Sequence, residues 1–440
     1  MRSLLISAIG TIAAAAILVP GIVANAANVD KVVIVMRHGV RPPADDKEIA
    51  PLTAKPWPDF GVAAGMLTRH GAEAAGKLGA WEGKWLAWRG VLAAPACPRE
   101  GEIFAWSSRA LQRTTDTGIA FLDGMFPRCG VKVGKASGAG PDPLFMASET
   151  DVGRLDLAAG KAAILAAAGG NFDVPKARLA ELHGDLQRVM ECCKVDICEK
   201  LAGKSACELK DLDWRIVPSS GGRNLSISGP MALAATVSQI FLLEYAQGFP
   251  PDKVAWGLAA TKDDVLRFSE MRKIKYEYFE RVPYIARHGA SNILAQLTQS
   301  LVQGTGVEAG LKVAGPPDAK YVLYVGSDTQ IAEIGAILDV HWQPRSYLAD
   351  ETPPTGGLVF ERLVDPVTNA RSVRVSFITP TLDQIRDAST LDDNNPPEVL
   401  PLTVPDCASA MQGDACPLSR FGEIVHSRID MTAIAEPDYR

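Results

Sequence analysis

Lys31-Val-Val-Ile-Val-Met36 is the segment that most narrows what this chain can become. A continuous apolar, largely β-branched run without polar alternation is the pattern of a strand buried on both faces of its sheet. Such a sheet needs helices on both sides, which points to an α/β fold. Glu102-Ile-Phe-Ala-Trp106 and Tyr321-Val-Leu-Tyr-Val325 read the same way, and each run gives way to polar residues and then a helical pattern. Between about 148 and 280 the composition shifts to Ala, Leu, Lys and Glu with few strand-like runs. Its clearest helix opens at Gly229-Pro230 and ends at Gly248. The expectation is an α/β protein with a mostly parallel central sheet flanked by helices. Residues 27–147 and 281–440 form its core, and 148–280 an inserted, mainly helical cap.

The first residues concern address rather than fold. A single basic residue, Arg2, precedes an apolar stretch that is broken at Pro20-Gly21 and followed by Ala24-Asn25-Ala26. This is the pattern of a signal peptide over 1–26, removed after Ala26, and it places the protein in the periplasm or outside the cell. The apolar run is short for a membrane anchor, and no other is long enough to cross a bilayer, so no membrane association is expected after removal.

Eight cysteines in an exported chain suggest disulfides. Short loops nominate Cys198 with Cys207 and Cys407 with Cys416, and Cys97 with Cys129 is a plausible third pair. Adjacent Cys192 and Cys193 are left over, either as a free pair or in exchange with Cys198. Zinc is disfavoured, because this cluster lacks a nearby histidine and paired C-x-x-C spacing. The net charge of −6 and the lack of a basic run with interleaved aromatics argue against nucleic acid. An acidic protein that handles phosphates must instead concentrate its arginines in one place.

Chemistry in open α/β sheets gathers at the carboxyl ends of strands. After the first strand comes Arg37-His38-Gly39-Val40-Arg41-Pro42, an imidazole between two guanidiniums. Planar, permanently charged forks suit the peripheral oxygens of a phosphoryl group. His38, kept neutral by its cationic neighbours, is placed to attack phosphorus as a nucleophile. The same tripeptide recurs at Arg69-His70-Gly71 and Arg287-His288-Gly289, but neither follows a strand, and both read as surface or helix-end residues. The second strand leads into Ser107-Ser-Arg109-Ala-Leu-Gln-Arg113, whose arginines share a helix face, so either can complete the clamp. The third leads into Ser327-Asp328, where Asp328 is either a plain helix cap or the general acid that protonates a departing oxygen.

Arg37-His38-Gly39-x-Arg41-x-Pro43 resembles the signature of the histidine acid phosphatases, which include bacterial phytases and glucose-1-phosphatases. Asp142-Pro-Leu-Phe145, the Gln239–Gly248 helix, Pro353–Arg362 and the Cys407/Cys416 loop resemble the bacterial phytase branch. The resemblance implies hydrolysis of phosphomonoesters through a phosphohistidine on His38, with Asp328 as acid. It implies Arg37, Arg41 and Arg113 as phosphate ligands, Arg113 being selected over Arg109 because it precedes Thr114. It also implies no metal or other cofactor, and substrate bound between core and cap. One position departs: the family's usual His-Asp pair is Ser327-Asp328 here, so a short hydroxyl stands where an imidazole contacts the phosphate. The expected partner is a small phosphorylated substrate, with phytate leading and a sugar phosphate next, acted on by a monomer. A phosphotransferase with the same intermediate, or a silent phosphate-binding protein, is the reading from another class.

Overall fold

In the computed structural model, residues 27–44, 52–411 and 413–439 are described, so the expected signal peptide and the Asp45–Glu48 segment lie outside them. The strands are β1 (Asn28–Arg37), β2 (Ile103–Ser107), β3 (Gly134–Lys135), β4 (Arg215–Pro218), β5 (Leu225–Ser228), β6 (Tyr321–Gly326), β7 (Gly357–Val364), β8 (Arg371–Thr379), β9 (Glu398–Leu402) and β10 (Cys416–Pro417). The main sheet runs β10-β8-β7-β1-β6-β2-β3, with β9 also on β8. β1, β6, β2 and β3 pair in parallel. β7 pairs antiparallel with β1 and β8, and β9 and β10 pair antiparallel with β8. The fold is α/β as read from the sequence, and the strands that carry the motifs form its parallel half. The antiparallel half extends the sheet beyond what that reading described.

β1 sits near the middle and is covered on both sides. Val33 and Val35 enter one apolar cluster, whereas Val32, Ile34 and Met36 enter another. The alternation is that of any strand, but both of its faces are dry, which is why the run carries no polar residue. One flank holds α1 (Arg69–Trp88) and α2 (Gln112–Met125), whose Leu78, Phe121 and Leu122 pack with Ile34 and Met36.

Between β3 and β6 lies a largely helical stretch. It comprises α3 (Leu157–Ala167), α4 (Asp173–Met190), α5 (Val195–Ala202), α6 (Pro230–Ala246), α7 (Lys262–Lys275) and α8 (Pro283–Val302), with a π-helical turn at Tyr276–Glu280 and the β4–β5 hairpin. Helices α4 to α7 share one apolar core through Leu179, Leu186, Ile197, Met231, Phe241, Val265 and Phe268. Pro230 is the first residue of α6, as expected, and Gly229 before it adopts φ 98°, a region open to glycine. The remaining helices are α9 (Asp328–Leu338), α10 (Leu382–Arg386) and α11 (Leu418–Arg428).

Cys198–Cys207 and Cys407–Cys416 are bonded as their short loops suggested, and Cys97–Cys129 is bonded as the third expected pair. Cys192 and Cys193 are bonded to each other, neither free nor exchanged with Cys198, because Cys198 is already held by Cys207.

Candidate active site

Register brings three loops to one edge of the sheet. Arg37 lies opposite Gly326, and Ser107 opposite Val325, so β1, β2 and β6 end side by side. The backbone after β1 is held on both flanks: His38 N donates to Gly326 O at 3.1 Å, and Arg37 N to Gly356 O at 2.9 Å. Gly39 N donates to Thr117 Oγ1 of α2 at 3.0 Å.

His38 is buried, with its Nδ1 2.9 Å from the carbonyl oxygen of Gly39. A carbonyl only accepts, so Nδ1 carries the proton and Nε2 keeps its lone pair. Burial, followed by repulsion from Arg113, Arg41 and Arg37, holds the imidazole well below its usual value of 6.5, and it is neutral.

Arg37 is buried too. Its guanidinium donates to Thr352 O at 2.5 Å and Gln239 Oε1 at 3.2 Å, and approaches Asp328 Oδ2 at 3.1 Å. Arg41 donates to Pro42 O at 2.8 Å, and burial with repulsion from Arg113 and Arg37 lowers it to about 9. Arg113 donates to Gly65 O at 3.3 Å. The Nε groups of all three arginines are buried without a partner among the described residues. Cations crowded and desolvated in this way favour an anion among them. Arg109 lies outside this cluster, because its side chain is spent on Ser137 O and Pro141 O at 2.8 and 2.7 Å.

Asp328 is the first residue of α9, after the cap position of Ser327. Burial alone would raise its pKa, but Arg37 and Arg272 outweigh that and hold it well below 3.8. Ser327 donates to Gln330 Oε1 through both N and Oγ, at 2.7 and 2.9 Å, so its one hydroxyl proton is engaged within the helix turn.

Arg272 was not anticipated. It reaches over from α7 and donates to Asp328 Oδ2 at 2.6 Å and to Thr352 Oγ1 at 3.2 Å. A signal for it exists: Val265, Phe268, Ser269 and Arg272 fall on one helical stripe, and all are buried. An arginine where the period calls for an apolar residue needs an anionic partner. Gln239 of α6 and Thr352 were likewise missed, because their relation to Arg37 is purely tertiary.

The two other Arg-His-Gly tripeptides sit in helices. His70, in the first turn of α1, binds Ile385 O at 2.7 Å, and Gly71 lets that turn pack onto the Val40 backbone. His288 of α8 binds Tyr284 O at 2.9 Å. Neither histidine joins the arginine cluster.

A cleft of about 1030 Å³ opens over the site, lined by Arg41, Gln239, Arg272, Ser327 and Asp328 among others. Its walls come from the sheet edge and from the helical insertion together.

Residues 28–378 match the histidine phosphatase superfamily (branch 2). The phytase AppA of Escherichia coli (strain K12) is 31% identical, over 90% of this chain and 91% of that protein. A glucose-1-phosphatase of Providencia rettgeri is 28% identical over 86% of this chain and 87% of its own. Among solved structures, a Hafnia alvei phytase in complex with tartrate superposes with a TM-score of 0.82, at 28% identity, covering 93% of this chain and 98% of that one. With a family match across most of its length and a neutral histidine ringed by arginines at the sheet edge, this chain belongs to the histidine phosphatase superfamily, branch 2.

Proposed function

We propose that this chain is an acid phosphatase that hydrolyses phosphomonoesters through a phosphohistidine on His38, with phytate as the leading substrate. The observation that carries the reading is His38 itself: neutral, with Nδ1 committed to Gly39 O and Nε2 available. Arg37, Arg41 and Arg113 hold the phosphate oxygens, and their unpartnered Nε groups supply donors. Ser327 contributes one neutral donor when its hydroxyl turns from Gln330 toward a phosphate oxygen. Nε2 attacks phosphorus as the P–O bond to the leaving group breaks, and Asp328 gives that oxygen its proton.

Asp328 is ion-paired with Arg37 and Arg272 and ionised. A phosphate that draws Arg37 away weakens that pairing and lets Asp328 take up a proton at acidic pH. The Asp328 carboxylate left after the first step then accepts a proton from water as its oxygen attacks the phosphohistidine. This releases inorganic phosphate and restores neutral His38.

We take residues 148–280 as the cap and the flanking segments as the core, with substrate between them. We take the mature protein to be periplasmic or secreted and to act as a monomer, and no described helix is long and apolar enough to cross a membrane.

Support for phytate comes from relatives described as phytases, including a Hafnia alvei phytase solved with myo-inositol hexakis sulphate. A sugar phosphate is the second reading, favoured by the 28% identical glucose-1-phosphatase. The test gives purified protein p-nitrophenyl phosphate and phytate at acidic pH beside His38→Ala. Release of phosphate by the wild type alone, with phosphate trapped on His38 under acid-free quench, is the expected result. Equal hydrolysis by both proteins refutes it.

A further inference from the structure

The cleft does not end at the phosphate clamp. It continues along the face of α9 that presents Ser327, Gln330 and Glu333, three residues apart and so in line. Six residues of helix span about 9 Å along its axis. Glu333 closes this recess. It is 3% exposed, lines the cleft, and has no hydrogen-bond partner among the described residues. Its carboxylate lies against Gly289 of α8, where any Cβ would collide with it. Lys275, the nearest cation, is engaged by Glu280.

The Glu333 carboxyl group therefore faces the cleft with no donor among the described residues to satisfy it. A second phosphate is a poor occupant, since the recess holds two acids and its lysine is already paired. A hydroxyl group supplies what is missing, a neutral donor. Burial and the neighbouring Glu280 also push Glu333 well above the usual carboxylate range, so it presents both O–H and C=O to such a group.

We propose that Glu333 forms a hydroxyl-recognising subsite, so that the enzyme selects phosphomonoesters whose leaving group is a polyol ring with a free hydroxyl facing α9. The short side chain of Ser327 leaves the passage to this recess open. This rests on the phosphatase reading above, not on phytate as the substrate, because every hydroxyl of phytate is esterified. It favours the second reading, a sugar phosphate, together with inositol esters that keep unesterified hydroxyls.

The test pairs myo-inositol 1-phosphate with cyclohexyl phosphate, which share a ring and differ in hydroxyls. In Glu333→Leu the ratio of kcat/KM values, inositol ester over cyclohexyl ester, falls by about tenfold or more, whereas Glu333→Gln, which still hydrogen-bonds, stays within about threefold of wild type. An unchanged ratio in the Leu variant, or an equal loss on both esters, overturns the proposal. A check needing no variant is that free myo-inositol inhibits cyclohexyl phosphate hydrolysis competitively and cyclohexanol does not; equal inhibition by the two, or none by either, also overturns it. Failure of the wild type on both esters removes the phosphatase reading instead.

Discussion

Arg272 donates to Asp328 at 2.6 Å, joining a helix of the insertion to the residue that opens α9 at the sheet edge. With Arg37 on the other side at 3.1 Å, it keeps the carboxylate ionised. Arg272→Met removes one of the two cations that depress Asp328, so its pKa rises toward the ordinary carboxylate value. The alkaline limb of the pH–kcat/KM profile, where protonated Asp328 is lost, moves to higher pH, by about one unit for each 1.4 kcal/mol of lost attraction. A pH–rate profile of the variant reads this directly, and an unmoved limb excludes Arg272 as the residue that sets the Asp328 charge.

The crowded guanidiniums predict strong linkage between folding and anions. Inorganic phosphate binds the native state alone, so at a hundredfold excess over Kd it adds about 2.7 kcal/mol to stability. Thermal melts across a phosphate titration measure the gain. In Arg41→Ala the same titration gives a smaller shift.

Two buried histidines make the protein less stable in acid. Burial lowers His183 to about 4, and burial with the arginines holds His38 well below 6.5. Each stays neutral in the native state while its unfolded counterpart takes up a proton. Their contribution is therefore complete above pH 6.5 and is lost as pH falls from there toward the folded values. For His183, which packs near Trp214 at a centroid distance of 5.9 Å, the loss over pH 6.5 to 4 is up to about 3 kcal/mol. Urea midpoints across that range decline more gently in His183→Gln than in wild type.

Ser327→His restores an imidazole beside the clamp. One charge-assisted hydrogen bond to a phosphate oxygen raises kcat/KM for p-nitrophenyl phosphate by about tenfold. Steady-state kinetics decide it: a loss would show that the Ser327–Gln330 contacts at 2.7 and 2.9 Å matter more to the site than the missing ring.

The Cys97–Cys129 bond closes a loop with a sequence separation of 32. On chain-entropy grounds, replacing both cysteines by alanine lowers stability by about 3.5 kcal/mol, read from denaturant midpoints.

His38, Arg37 and Arg41 were legible because a run buried on both faces ended in charge, and a strand end in an α/β sheet is where function gathers. Cys198–Cys207 and Cys407–Cys416 were legible from loop length, and Cys97–Cys129 from its place near the ends of two elements. Arg272 and Gln239 were not, since the helices that carry them meet the sheet edge only through the tertiary fold. The antiparallel half of the sheet escaped for a different reason. β7, Gly357-Leu-Val-Phe-Glu-Arg-Leu-Val364, buries Glu361 and Arg362 within its apolar pattern. Arg374 and Arg89 offset Glu361, and Asp30 offsets Arg362, which is invisible before the partners are in place.

The proton on His38 is directed by a peptide carbonyl, that of Gly39. No side-chain substitution elsewhere can delete that acceptor, so the nucleophile's tautomer is insulated from ordinary mutational drift. What remains vulnerable is the path of the chain at Gly39, where an added Cβ would meet Gly71 O at 2.9 Å. Selection on this enzyme's chemistry therefore acts at residue 39 through shape alone.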